Sequence, residues 1–365
     1  MLEASAMLPL PERNRMDPEP SSRRMSLREI GVQLGLSHVT VSLALKENKL
    51  VSAKTRERVR RYVESIGYRP DPMLGALAHY RQSKAKRAMK AGVAWINAWP
   101  DHDRLRSYRE FDGYWEGAKA EAEKSGYWLE EFRVGPECSP ERLHRILDTR
   151  GVRGILLPPH AVQPDWGTFP WEDYSVVRLG RSLQSPRTHL VASNQMGNAM
   201  LAHASMRDRG YRRIGFVTGR LELVPNGHLF GVGWMAAQKM APDEEPVPAL
   251  TVMSYPVERR AEHFRRWLDH HLVDAILSDL PEIFDLLEQA NLNVPQDLGL
   301  AMTSVLDGGA DSGIDQHPEE IGRTALLMLN SLISEGSKGK PGVIRQLVVE
   351  GDWVNGTTLP GKSSL

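Results

Sequence analysis

From Ala91 onward the chain repeats one rhythm, an apolar run of strand length followed by a stretch with helical period. GVAWINAW leads to a helix around Asp112 to Ser125, YWLEEFRV to one around Pro140 to Thr149, and GVRGILLPP follows. The rhythm restarts with a helix around Met196 to Arg209, the strand RRIGFVTG, a helix around Phe230 to Lys239 and the strand-like runs LTVMSY, VDAILSD and LGLAMTSV. Strands joined through helices pair in parallel, because the helix carries the chain back before the next strand begins. Two doubly wound α/β lobes are expected. A faint echo supports the pairing: GVAWINAW before FDGYWEGAKA resembles IGFVTGR before FGVGWMAAQ. Such lobes take ligands in the cleft between them, outside the carboxyl ends of their strands.

Ahead of this region, SLREIGVQLGLSHVTVSLAL (26–45) has the pattern of two helices meeting at a tight turn. Leu27, Ile30, Leu34, Leu36, Val41 and Ala44 supply the inner side of the corner, and Gly35 stands where the first helix must stop. His38, Val39, Thr40, Ser42 and Leu43 are left for the outer face of the second helix, which is narrow enough for a DNA major groove. Ser52 is a suitable N-cap for a third helix over Ala53 to Ile66, striped by Val59, Val63 and Ile66 and ended by Gly67. Tyr68-Arg69-Pro70-Asp71-Pro72 reads as an extended corner, since each proline disfavours helix in its predecessor. A short helix over Met73 to Tyr80 and a basic linker, Arg81 to Lys90, complete the segment.

Charge separates the two regions. The full chain of 365 residues is formally neutral, yet residues 21–90 hold 16 Lys and Arg against 5 Asp and Glu, a formal charge of +11. That asymmetry is the footprint of a nucleic-acid module joined to an acidic partner domain. The lone Cys138 excludes an internal disulfide and fits a reducing cytoplasm. No apolar run reaches bilayer length, and residues 1–25, rich in Pro, Glu, Arg and Ser, read as a disordered tail without a secretion signal. Methionines at 7, 16 and 25 suggest a start downstream of Met1.

The order of these pieces resembles the lac-repressor (LacI/GalR-type) family of bacterial transcription regulators. Its carriers are LREIGVQLGLSHVTVSLAL, VSAKTRERVRRYVESIGYRPDP, RDRGYRRIGFVTG and IDQHPEEIGRTALLML, and it covers nearly the whole chain from Met25. The resemblance implies a small all-α helix-turn-helix domain (26–70), a hinge helix and linker (71–90), and a periplasmic-binding-protein-like pair of lobes (91–360) for effector binding and dimerisation. It implies a homodimer on a near-palindromic double-stranded DNA operator, one recognition helix per half-site. Carried over by position, His38 and Val39 select bases and Leu43 is a further base-facing residue. Leucine there departs from the arginine that many members carry, and offers only apolar contact, for instance to a thymine methyl. Ser37, Thr40, Ser52, Lys54 and Thr55 match positions that touch phosphate, and Ser42 lies on the same face. Leu77 matches the leucine that wedges into the minor groove from the hinge helix.

The effector cleft departs further. Sugar-binding members usually carry an arginine before a second-lobe helix, an Asn-Asp pair after a strand and an aspartate ending the next. Here those places hold His228, Ser278-Asp279 and Ser304. Asn97, Trp99, His160, Arg181, His228, Asp279 and Gln316 are the cleft candidates, with Trp99 suited to stacking and Arg181 to an anion. A small metabolite, sugar-like or otherwise, is the expected effector. A regulator with no small ligand is the alternative.

Several other motifs lose their force in context. Gly231-Val-Gly233 falls inside a helix rather than after a strand, so it is no dinucleotide fingerprint. His270 and His271, adjacent on a helix, point apart and do not suggest a metal site. Asn355-Gly-Thr357 is a sequon without meaning in a cytoplasmic protein. No GxSxG, P-loop or HExxH occurs, so neither an enzyme nor a cofactor is expected. The competing function is a cytoplasmic small-molecule-binding protein in which ligand capture is primary.

Overall fold

A computed structural model describes residues 25–45, 51–66, 68, 91–219, 229–241 and 245–362, and the chain divides into two compact units, Met1–Arg87 and Ala88–Leu365. The tail through Arg24, Gly67, the hinge with Leu77, the linker up to Lys90 and His228 lie outside the described residues.

The first unit contains α1 (Leu27–Leu34), α2 (His38–Leu45) and α3 (Ala53–Ser65). A serine caps each one. Ser26 and Glu29 form a reciprocal capping box, the Ser37 hydroxyl accepts the Thr40 N–H at 3.0 Å, and the Ser52 hydroxyl accepts that of Thr55 at 3.2 Å. Gly35 closes α1 in the left-handed region at φ 62°, which glycine adopts without Cβ strain. Ile30, Leu34, Val41, Ala44, Val51, Val59 and Val63 form the core, with Leu27 and Leu36 half-buried beside it. Ile66 departs from the expected stripe: it lies just past α3 and is exposed. Arg58 ties the corner together, donating from Nη2 to the Leu34 carbonyl at 2.7 Å.

In the second unit, the first lobe's sheet runs β11 (Gln346–Val349), β5 (His189–Ser193), β4 (Ser175–Leu179), β3 (Val152–Leu157), β1 (Gly92–Asn97), β2 (Trp128–Arg133), all parallel. The second lobe runs β12 (Asp352–Val354), β10 (Gly313–Asp315), β9 (Gly299–Met302), β8 (Ala275–Ser278), β6 (Ile214–Thr218), β7 (Leu250–Thr251), with only β12 antiparallel. Both sheets are doubly wound, as the alternating rhythm implies. The helices are α4 (His102–Ser107), α5 (Arg109–Ser125), α6 (Pro140–Thr149), α7 (Gln195–Asp208), α8 (Leu229–Met240), α9 (Arg260–His271), α10 (Ile283–Gln289) and α11 (Pro318–Glu335). The chain passes between lobes three times, from β5 to α7, β10 to α11 and β11 to β12.

The echo between halves has a steric cause. A Cβ on Gly117 of α5 would stand 1.8 Å from the Glu319 carbonyl oxygen of α11. One on Gly233 of α8 would stand 2.2 Å from that of Met196 in α7. Each lobe therefore packs its first crossing helix, backbone against backbone, onto the helix that enters from the other lobe. Gly231 and Gly233 are both inside α8, where Gly233 serves this packing.

LTVMSY is strand only at Leu250–Thr251; Val252–Ser254 turns as a 3-10 helix that covers the second lobe's core with Val252. The short strands SVVRL and HLVAS are buried throughout and show no alternation, so periodicity does not distinguish them from loop.

Candidate DNA-binding surface and interlobe cleft

At the start of α2, His38 is exposed and Val39 is 52% exposed, while Val41 and Ala44 anchor the helix in the core. Apolar residues surround α2, so helical period alone does not rank Val39 against Leu43 as the outward side chain. The structure does: Leu43 is half-buried and packs against the core cluster. Thr40 and Ser42 are half-buried too.

Ser37 and Ser52 occupy matching places. Each hydroxyl caps its helix and also bonds a threonine hydroxyl, Ser37 with Thr40 at 2.8 Å and Ser52 with Thr55 at 2.9 Å. The partial positive charge of a helix amino terminus therefore emerges beside paired hydroxyls at both α2 and α3, an arrangement suited to phosphate oxygens. Lys54 stands exposed in the first turn of α3. All four arginines of α3 are committed within the unit: Arg56 donates to the Val51 carbonyl at 3.0 Å, Arg58 to Leu34, and Arg61 and Arg60 both bind Glu57, holding its carboxyl below the usual range.

The cleft candidates sit at the carboxyl ends of strands, and each lobe closes its own switch point with one side chain. In the first lobe His160, 3% exposed, accepts the Ala98 N–H on Nε2 at 3.0 Å and donates from Nδ1 to the Pro158 carbonyl at 2.7 Å. Burial pushes its pKa down to about 4, so the ring is neutral. Asn97 accepts the Trp99 N–H and donates to the His102 carbonyl and Glu131, and Trp99 donates from Nε1 to the Pro159 carbonyl at 2.8 Å. In the second lobe Asp279 accepts from the Thr218 hydroxyl at 2.9 Å and the Gly219 N–H at 3.3 Å; burial raises its pKa to about 6. Ser278 is spent on the Val217 carbonyl, Gln316 on the Thr303 carbonyl, and Arg181 on Gln346 of β11. Asn97, Trp99 and His160 thus form one cluster, whereas Asp279, Gln316 and Arg181 each belong to a different local network.

Of the residues that join the lobes, the sequence points only to Ser304, as a cleft position, and not to Glu110 or Asp307. Asp307 receives the N–H groups of Arg109 and Glu110 at 3.0 and 3.2 Å, capping α5, whose own N-cap Tyr108 supplies no side-chain bond. Ser304 donates to Glu110 at 2.7 Å. These contacts link positions 194 to 198 residues apart, and no local pattern announces them. Glu110 is 6% exposed, and burial, with Asp307 and Asp315 nearby, raises its carboxyl from 4.5 to about 7 against the hydrogen bonds from Ser304 and Tyr114.

The folded Glu110 keeps its proton up to about pH 7, whereas the unfolded one releases it near 4.5. The folded state binds more protons across that window, so stability falls as pH rises through it, by on the order of 3 kcal/mol. Asp279 adds a loss of the same sign, complete by about pH 6. Glu110→Gln is expected to flatten the decline between pH 6 and 8 and to exceed the parent's stability at pH 8, read by denaturant unfolding at both values. An unchanged decline would assign it to another group.

Comparison with known proteins agrees with this architecture. Residues 26–71 match the family model described as bacterial regulatory proteins, lacI family. The HTH-type transcriptional regulator AscG of Escherichia coli (strain K12) is 25% identical over 201 residues, covering 54% of this chain and 56% of that protein. The chain therefore spans little more than half the length of this relative. Among solved structures, a transcriptional regulator CelR–cellobiose complex aligns with TM-score 0.56 at 21% identity over 92% of this chain and all of the other. A lac repressor dimer bound to operator and the anti-inducer ONPF aligns at 0.52, with 15% identity over 93% and 100%. A periplasmic binding protein/LacI transcriptional regulator from Alkaliphilus metalliredigens QYMF, complexed with D-xylulofuranose, aligns at 0.52 with 16% identity over 74% and 99%. Residues 26–71 therefore match the lacI family of bacterial regulatory proteins as a helix-turn-helix domain, and the unit that follows has the two-lobed α/β fold of these solved regulators.

Proposed function

We propose that this chain is a sequence-specific transcription regulator, a repressor that binds a near-palindromic DNA operator as a homodimer and answers to a small metabolite between its lobes. The observation that carries this reading is the exposed start of α2, His38 and Val39, held on a serine-capped three-helix core and flanked by the Ser37–Thr40 and Ser52–Thr55 hydroxyl pairs. The lac repressor relative was solved as a dimer on operator, which supports the same stoichiometry here. Base selection falls to His38 and Val39, with Leu43 contributing only its exposed part. Ser37, Thr40, Ser52, Lys54 and Thr55 position the backbone, and Leu77 is assigned to the minor groove. The chain works in the cytoplasm, without cofactor, metal or catalysis.

Effector control is proposed to act on the interlobe bridge. The polar atoms of Asn97, His160, Asp279 and Gln316 are largely engaged inside their own lobes, so recognition by those groups requires their networks to open. The Glu110–Ser304 bond and the Asp307 cap lie on the carboxyl side of both sheets and hold the lobes together. A ligand that replaces these contacts changes lobe orientation and, through it, the DNA-binding unit. The CelR relative was solved with cellobiose, which places sugars first among compounds to test, although His228 and Ser304 stand where sugar-binding members carry arginine and aspartate.

Fluorescence titration of the full chain with duplex DNA over a range of salt concentrations tests the DNA reading. Affinity is expected to fall linearly on logarithmic axes, and Lys54→Ala to lower the slope by about 1 for specific and unrelated DNA alike. Binding to DNA that is absent or independent of salt would overturn it.

A further inference from the structure

The first lobe has a second concavity, on the side of its sheet away from the cleft. Val176 and His189, at the starts of β4 and β5, and Leu332, near the end of α11, line a cavity of about 440 Å³ whose rim is the loop Ser337 to Arg345. The cleft residues of this lobe follow the carboxyl ends of β1, β3 and β4 in the same sheet, so the two concavities lie at opposite ends of its strands.

The rim is basic. Lys338, Lys340 and Arg345 all line the cavity. Among the described residues Arg345 approaches Glu335 only at 3.8 Å, and neither lysine forms an ion pair. The loop is fixed rather than loosely draped: Gly339 donates its N–H to the Tyr174 carbonyl at 2.9 Å, and Ser175 donates its hydroxyl to the Ser337 carbonyl at 2.6 Å. At the back of the cavity, His189 accepts the Arg345 N–H on Nδ1 at 3.0 Å. Burial, reinforced by Arg345, lowers its pKa and keeps it neutral, which leaves the remaining ring proton on Nε2 as a donor with no partner among the described residues. A neutral imidazole donor behind a rim of cations matches a phosphate group, whose oxygens accept hydrogen bonds while its charge is offset at the entrance.

We propose that this cavity is a ligand site for a phosphate-bearing small molecule, distinct from the interlobe cleft, with His189 as inner donor and Lys338, Lys340 and Arg345 as the cationic rim. The rival account is that the lysines only offset the partial negative charge at the carboxyl end of α11.

Isothermal titration of the full chain with inorganic phosphate, in chloride buffer of matched ionic strength, decides between them. Saturable binding is expected, weakened at least tenfold by Lys338→Ala with Lys340→Ala and unchanged by Asp307→Asn in the cleft. Both lysines are exposed, so the double variant should melt as the parent does. A signal that does not saturate, or that is equal in parent and double variant, overturns the proposal. So does a double variant unchanged toward phosphate but with a DNA salt slope reduced by about 2, which would give the cluster to the DNA backbone.

Discussion

Ile30→Ala is expected to abolish DNA binding while leaving the melting of the two-lobed unit where it was. Ile30 is fully buried at the centre of the small core that joins α1, α2 and α3. Truncating such a side chain costs about 2–5 kcal/mol through lost transfer energy and the cavity left behind. A unit of this size has little to spare, because a small domain buries a smaller share of its surface than a large one. Loss of the core releases α2, and with it the fixed geometry of His38 and Val39. The lobes have their own cores and should not register the change. Calorimetry and DNA titration on the same sample read both effects. Ile30→Val, at about 0.5–1.5 kcal/mol, should retain binding. An Ile30→Ala protein that binds DNA like its parent would mean that the three-helix unit is not what holds the DNA-reading surface.

Gly117→Ala should produce the opposite pattern, a damaged lobe beside an intact helix-turn-helix unit. The added methyl meets the Glu319 carbonyl oxygen at 1.8 Å and its carbon at 2.6 Å, and these are backbone atoms that no rotamer change can move. The α5–α11 crossing must separate, at or above the roughly 1–3 kcal/mol usual for overpacking. In a unit this large that corresponds to a fall in melting temperature on the order of 5–10 °C. Because α11 enters from the second lobe, the shift should also strain the Asp307 cap on α5 and the Glu110–Ser304 bond. The fall in melting temperature should accordingly grow at pH 8, where Glu110 is charged. A variant as stable as the parent would show that the two helix backbones are not in contact.

Local signals made much of the fold legible. The helix expected around Pro140 to Thr149 is α6 with those bounds, capped by the Ser139 side chain ahead of Pro140. The corner at Gly35 and the cap at Ser52 are equally local, and so is the alternation of strand and helix. Where the reading was incomplete, the deciding interaction is distant. HLVAS is recognisable as a strand only once β4 and β11 flank it. Leu43 could be ranked against Val39 only when the rest of the core was in place. Glu110 looks like an ordinary first-turn acid of α5 until Ser304 and Asp307 approach from the other lobe. His160 and Asn97 show the same limit from the other side. Their residue types and positions suit ligand binding, and whether their polar atoms are free depends on carbonyls and amides that only the folded loops supply.

The proposed function requires that a pair of these chains read a two-fold symmetric DNA site through the start of α2. Repeated selection of bound sequences from random duplex DNA, with full-length protein, tests it most directly. An enriched motif of two inverted half-sites is expected, with a change of preference at the same bases in both halves for His38→Ala or Val39→Ala. Selection that converges on no motif, or on one without inverted symmetry, would contradict it.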